Sequence, residues 1–444
     1  APLSIKMANL KIQIEKLPPF SVAVLLWLIL LFSLCPIRAF ATQPVSSQNP
    51  FIAPPPFHES RFSESPLILG LYPSQSVKIG FGILPLLPFP GIQIDNNAVS
   101  AHWYNKKLIQ KNFLGTDDKN ELLGFFPEGG WDIYPSLGLP VGSITKGNYS
   151  LGLSIQGTGE LSIPKSLLHF ALFGNRFNQP VDIRHLNAEG MMSAVLEFTH
   201  GRTIESKLLK NATHGMTFKL INGMSHFRVD NVMAQVSSYT DSINIAGSYQ
   251  TIRTPFGLGY AMDYQFGFQP TASTYFRFAI DNLFGKVYWY GNRSITREYD
   301  YLLNLIDVDL FETDTDSLFE HSVRRDELVK KGGFFTKFPG RFTAEIQFQE
   351  NANRIIYLQY LQGFSDRYHA SRNPKFSLVS VNYLTRWLPV SLMFAVGGKQ
   401  GYQWGTSFQL LFNKYQLNLA FSQSGGFFNY AKGFRLFVTQ SIRF

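Results

Sequence analysis

The fold class this sequence predicts is all-β: a transmembrane antiparallel β-barrel of about 14 strands with short helical plug or cap segments. Three observations predict it. Segments alternating between an aromatic face and a small or polar face recur from about residue 75 onward. The chain stops on such a segment with an aromatic residue. A charged and then apolar leader stands at the other end.

The leader comes first. Lys6, Lys11 and Lys16 precede the apolar run from Phe20 to Leu34, and Ala39-Phe40-Ala41 follows. A charged region, an apolar region and an A-x-A site form a secretory signal, so residues 1–41 are expected to be cleaved after Ala41. The alternative is an N-terminal anchor, for which Phe20–Leu34 is short of the ~20 residues a helical span needs. A lipoprotein at Cys35 would need a small residue where Leu34 stands. Cleavage removes the only cysteine, which leaves no disulfide and no thiolate metal site. Residues 42–70, with Pro54-Pro55-Pro56, read as a flexible N-terminal segment, and 71–444 as the barrel domain.

The leader holds Lys6, Lys11, Lys16 and Arg38 against Glu15, so it carries part of the chain's formal +9. What remains is mildly basic, contains no Lys/Arg block and gives no reason to expect nucleic acid. After Ala41 there is no uninterrupted apolar stretch of ~18 residues, so no transmembrane helix is expected. Yet 41 Phe, 20 Tyr and 6 Trp must be placed. A barrel places them toward lipid and in girdles at both interfaces.

The alternation is cleanest at 257–268. Gly257, Gly259, Ala261, Asp263, Gln265 and Gly267 form one face, and Leu258, Tyr260, Met262, Tyr264, Phe266 and Phe268 the other. A one-residue slip would send Asp263 to the apolar face, so the register is specified. The same code recurs at 149–156, 341–349, 403–413 and 415–422. A soluble β-sandwich also alternates. The aromatic outer face, the ~9–11 residue length of a bilayer-crossing strand and the Gly, Ser, Gln and Asn of the other face favour the barrel.

Strands are expected near 75–84, 131–141, 147–157, 188–201, 213–226, 241–252, 256–269, 272–290, 335–349, 353–364, 375–386, 388–398, 402–413, 414–424 and 433–444. Single-chain barrels favour an even number, so one of these fifteen is surplus. Prolines single out 75–84 or 131–141. Residues 104–126 and 164–173 have helical spacing, the second opening on Pro164. Residues 293–333 are acidic and read as the main extracellular loop, with a helix near 298–311.

In the last strand Phe434, Leu436, Val438, Ile442 and Phe444 share one face, opposite Arg435, Thr439, Ser441 and Arg443. Bacterial outer-membrane barrels end this way, and the terminal aromatic resembles the signal read by the barrel-assembly machinery. Gln440 departs from that pattern, where an apolar residue is usual. The expected location is the bacterial outer membrane, with outer-membrane lipid around the wall.

Several stretches carry a family resemblance. They are Leu172-Phe173-Gly174-Asn175, followed by Ala194, Glu197 and Phe198; Gly215 to Gly223 with Lys219 between; Gly257-Leu258-Gly259-Tyr260-Ala261-Met262-Asp263; and Phe278-Ala279-Ile280-Asp281-Asn282-Leu283 through Trp289. On these the chain resembles an uncharacterised outer-membrane barrel family of Bacteroidota-type bacteria, domain of unknown function 5723. The pattern is similar to that of fatty-acid-transporter-like and type IX secretion-associated barrels. The resemblance implies an outer-membrane barrel and no assigned reaction.

By parity Asp263, Arg277, Asp281 and Glu345 point into the lumen, where charges either brace the wall by pairing or bind a solute. No P-loop and no G-x-S-x-G elbow occurs, and no two of the nine histidines have zinc spacing. His200 and His214 fall at strand ends on the apolar face, as interface residues do. Glu312-Thr313-Asp314-Thr315-Asp316 lacks the Gly and distal Glu of a calcium loop. No catalytic residue, cofactor or metal is therefore expected. The functional expectation is a channel or transporter for small or hydrophobic solutes. The alternative is a barrel docking a surface or secretion partner through residues 293–333. An enzyme in the barrel wall ranks last, because no catalytic constellation stands out.

Overall fold

Alternating segments become strands because each can pair on both sides only within a continuous sheet, and a closed sheet leaves no edge. The computed structural model describes residues 74–81, 91–110, 113–174, 181–182, 186–204, 211–238, 242–291, 293–304, 323–330, 332–412 and 414–443. They form a closed antiparallel barrel of 14 strands.

Strand β1 is built from Ser74–Phe81 and Gly91–Asn96, both lying between the same two neighbours. Then come β2 (Trp131–Gly147), β3 (Tyr149–Ile163), β4 (Asn187–Ile204) and β5 (Ala212–Ser238). Strand β6 joins Ser242–Thr254 to Phe256–Thr271, and β7 joins Thr274–Tyr290 to Arg293–Asn304. Strand β8 runs in three pieces, Val323–Lys330, Phe334–Lys337 and Arg341–Asn351. The last six are β9 (Arg354–Gly363), β10 (Lys375–Thr385), β11 (Leu388–Gly397), β12 (Tyr402–Leu411), β13 (Tyr415–Ser424) and β14 (Gly433–Arg443). Pairing of Lys78 with Arg443 and of Ile92 with Leu436 closes β14 onto β1.

The surplus strand is neither 75–84 nor 131–141, since both regions pair in the wall. Segments 241–252 and 256–269 are instead one strand. Both pair with β5, and Pro255, which has no N–H to give the ladder, interrupts the pattern between them. The 293–333 loop is also corrected. Residues 293–304 and 323–330 pair with each other as extensions of β7 and β8, so no helix occupies 298–304. Residues 305–322, with the acidic run, lie outside the described residues, as do the leader, residues 42–73 and Phe444. Helices do form where the spacing predicts them: a helical turn at Ala101–Trp103 running into a π-turn at Tyr104–Ile109, then α1 (Thr116–Phe125) and α2 (Lys165–Phe173). Ala98, Trp103, Leu122 and Phe126 bury one another, with Leu168 and Leu172 of α2 against them, at the end of the barrel that carries the longer loops. Pro164 is the N-cap of α2, one place before the first turn.

The two faces of the wall are inverted relative to a soluble protein. On β6, Leu258, Tyr260 and Tyr264 are exposed, whereas Ala261, Asp263 and Gln265 are fully buried. On β3, Tyr149, Leu151 and Leu153 are exposed while Ser150 and Ser154 are buried. Phe348, Phe376, Leu392, Phe394 and Phe408 continue the apolar exterior around the ring. On β14, Phe434 is exposed, Val438 and Gln440 are buried, and the Tyr415 hydroxyl donates to the Gln440 side chain at 3.2 Å. Strands β9 to β14 have 10 or 11 residues each, whereas β5 has 27, so the wall is tallest around β5. Among the described residues no helix is long and apolar enough to cross a membrane; a barrel crosses with strands.

Candidate functional site: the barrel lumen

Three of the stretches that carry the family resemblance meet inside the wall. Lys219 of β5 contacts Asp263 of β6 at 2.9 Å and donates to the side-chain oxygen of Asn282 of β7 at 2.9 Å. Asp263 in turn accepts the backbone N–H of Asn282 at 2.7 Å. That amide needs the acceptor because β7 bulges here. Its pairing with β6 shifts register between Ile280 and Leu283 and again before Lys286. Asn282 (φ 55°) and Phe284 (φ 56°) adopt the left-handed conformation, a costly one for an aromatic residue. The bulge throws Phe284 outward, 73% exposed, and the Asn282 side chain donates to Pro339 O at 3.1 Å, where β8 also breaks.

The glycines have a related purpose. A Cβ on Gly223 or Gly257 would lie 2.6 Å from the Trp289 indole, and one on Gly267 would lie 2.1 Å from the Tyr275 hydroxyl. Rings of β7 therefore occupy the space that side chains would take at these glycines of β5 and β6, and Trp289 is fully buried with its Nε1 donating to Thr336 at 3.0 Å.

The structure buries all four of the expected lumenal residues. Besides Asp263, Asp281 pairs with Arg341 at 2.8 Å. Arg277 lies 3.6 Å from Glu345, which also accepts from Gln347 at 2.9 Å and Gln359 at 3.2 Å. They fall in three polar groups on the β5–β9 side of the wall, around Asp263, Asp281 and Glu345, and do not converge on a single centre. His200 packs on Tyr149 and His214 lies near Tyr264; they face Met216 and Arg202, and not each other, across the hairpin.

A further set of residues was not visible in the periodicity. The loop 364–374, between β9 and β10, turns into the lumen and reaches strands nearly half the circumference away. Arg367 forms an ion pair with Glu189 of β4. Glu189 also accepts from His226 of β5 at 2.9 Å, and His226 packs on Trp289 and Phe334. The Tyr368 N–H donates to Glu160 of β3 at 2.8 Å. The Tyr368 ring joins Met191, Val195, Ile221, Ala261, Val287 and Trp289 in one buried cluster. Lys399, in the turn after β11, donates to Tyr368 O at 2.6 Å and Asp366 O at 3.4 Å and sits 4.1 Å over the Tyr134 ring. Burial pushes the Lys399 ammonium below its ordinary pKa of 10.5, against the raising pull of Glu160 and Asp366. Below the loop is a cavity of about 210 Å³, lined by Gln156, Ser193, Lys219, Arg341, Tyr368 and Phe437 among others. The loop's signal in the sequence was faint, since only Gly363, Pro374 and the surrounding polar residues mark it.

Among the described residues no group of three or more His, Cys, Asp or Glu is placed to hold a metal ion.

The molecule is thus a closed barrel with an apolar exterior, a polar interior and a loop folded across its lumen. It belongs to a family of unknown function (DUF5723), whose model matches residues 135–421. No curated protein matches the chain by sequence. Among solved structures it is similar to the Ralstonia pickettii toluene transporter TbuX, at 12% identity and a TM-score of 0.44 over 86% of this chain and 92% of that one. The P. putida toluene transporter TodX matches at 8% identity and 0.42, over 86% and 93%. A Pseudomonas aeruginosa FadL homologue matches at 12% identity and 0.35, over 83% and 88%.

Proposed function

We propose that this chain is a bacterial outer-membrane barrel that serves as a channel or transporter for small or hydrophobic solutes. The observation that carries the reading is the inversion of its faces. Large apolar side chains are exposed on thirteen of the fourteen strands, while Ser, Thr, Gln and paired charges fill the inside. In water so continuous an apolar exterior would aggregate; in a bilayer it is the lipid-facing band. The handedness of the ends agrees. Short turns at Asn148, Ala352-Asn353 and Arg386-Trp387 share one end with the start of β1 and the finish of β14. The longer loops share the other, as outer-membrane barrels arrange their periplasmic and extracellular sides.

The test begins with residues 42–444 refolded into detergent and run on an SDS gel unheated and boiled, since closed barrels usually resist SDS until boiled. A heat-dependent shift, followed by solute-permeable proteoliposomes, is the expected result. A protein soluble without detergent, or a folded barrel that leaves liposomes impermeable with loop 364–374 excised, overturns the reading.

A further inference from the structure

We propose that loop 364–374 is a displaceable latch, closed across the lumen by a charge clasp on Glu160 and Glu189 and opened by releasing it. This rests on the channel reading and names the regulation of that lumen.

The loop is braced within itself. Gly363 N–H donates to Ser371 O at 2.7 Å, and Ala370 N–H to Arg367 O at 3.0 Å. The Arg372 N–H donates to the Asp366 carboxylate at 2.7 Å, and Asn373 N–H to the Ser371 hydroxyl at 3.1 Å. Such a segment keeps its shape when moved. Its ends are fixed to the near wall, where Phe364 N–H donates to Gly340 O at 2.9 Å and Gly398 N–H to Pro374 O at 3.1 Å.

Its attachment to the far wall is of another kind. Among the described residues no backbone-to-backbone hydrogen bond joins residues 365–373 to β3, β4 or β5. The far wall contributes carboxylates instead: Glu189 to the Arg367 guanidinium and Glu160 to the Tyr368 amide. Lys399 holds the carbonyls of Asp366 and Tyr368 from the third side. One apolar anchor, the buried Tyr368 ring, completes the closure, and Tyr368 takes a left-handed φ of 53° to reach it. That conformation is costly for a non-glycine residue, so the contacts made in the closed state are what maintain it. The loop is held by side chains: the carboxylates of Glu160 and Glu189, Lys399, the Tyr368 ring, and His369. His369 lies 3.8 Å from Asp95 of β1 and against the Tyr134 ring of β2. Residues Tyr368 to Ser371 line the 210 Å³ cavity.

The decisive experiment pairs a flux assay with an accessibility assay, in full-length protein carrying Cys35→Ser. Met191 of β4, buried in the cluster with the Tyr368 ring and lining the cavity, is replaced by Cys as a reporter, and its reaction with a charged thiol reagent is timed with and without Glu160→Gln/Glu189→Gln. Each charge-assisted bond favours the closed state by roughly tenfold or more, so the double variant reacts at least roughly tenfold faster if the latch opens as inferred. Separately, Glu189→Cys/Arg367→Cys is bridged by a cleavable bifunctional thiol reagent. Solute efflux from proteoliposomes falls to the protein-free level when bridged and recovers on cleavage. An unchanged Met191→Cys rate in the double Gln variant overturns the latch, as does equal efflux from bridged and cleaved protein. If no form conducts, even with residues 365–373 excised, the channel reading fails, and the Met191→Cys rates still decide whether the loop is a latch. Heat-modifiable mobility of each variant verifies that the barrel itself has folded.

Discussion

Replacing Asp263 by Asn tests how the three resemblance-bearing stretches depend on one another. Asp263 has no solvent exposure and faces Lys219 at 2.9 Å, itself only 11% exposed at the side chain. Asn at 263 keeps an oxygen for the Asn282 amide and removes the charge. The Lys219 ammonium then loses its Asp263 carboxylate inside the wall, keeping the Asn282 side-chain oxygen and the Glu197 position opposite it on β4. Breaking a buried pair at one partner costs about 3–5 kcal/mol, because the remaining ion has lost its compensation and not its desolvation. Lys219→Met strands the carboxylate instead and is expected to cost a similar amount. The double variant Lys219→Met/Asp263→Asn has neither ion, so it is expected to lose less than the worse single variant. Urea unfolding in detergent micelles, followed by Trp fluorescence and by gel mobility, reads each midpoint. Additive losses in the double variant would refute the reasoning: the pair would then not be the unit of stability, and the bulge at Asn282 would be supported by other contacts.

Gly257→Ala drives a methyl to within 2.6 Å of the Trp289 ring and 2.9 Å of Val287. An overpacking loss of about 1–3 kcal/mol in the same unfolding assay is expected, and Trp289→Leu in the Gly257→Ala background is expected to recover part of it. Leu392 lies mid-strand on β11 and is exposed. If the exterior faces lipid, Leu392→Arg costs about 2–4 kcal/mol when refolding is measured in bilayers; a loss near zero there would contradict a lipid-facing wall. Burial, and then the negative field of Glu189, raises the Tyr368 phenol above its ordinary 10.0. The folded state therefore holds that proton more tightly than the unfolded chain does. The resulting stability is complete below pH 10 and declines as pH rises beyond it. Tyr368→Phe is expected to flatten that alkaline decline in unfolding midpoints taken on either side of pH 10; an unchanged slope would show that other tyrosines cause it.

The wall was legible because a strand writes its environment into every second residue, and the barrel applies that rule with both faces biased. Leu258 through Phe268 cannot be read in another register without burying carboxylate in lipid or exposing rings to the lumen. Strand count was less legible, because Pro255 and the break after Tyr290 cut continuous strands into pieces that each look complete. What periodicity cannot show is what crosses the lumen. Asp263 was visible as an inward charge, but its partner depends on the register between β5 and β6 and on a bulge two residues deep in β7. Neither is encoded locally in 257–268. Arg367, Tyr368 and His369 look like any polar loop, since a loop folded inward and a loop in solvent use the same residue types. Only the partners distinguish them, and Glu160 and Glu189 sit about two hundred residues earlier, at the inward-facing upper ends of β3 and β4. An inward Glu near the loop-bearing end of a strand, where water would otherwise solvate it, is the one local sign that something comes to meet it. A charge there is tolerable without a partner in an open pore and needs one in a closed lumen. Two such carboxylates facing a single arginine-bearing loop are therefore what a closed lumen requires and an open one does not.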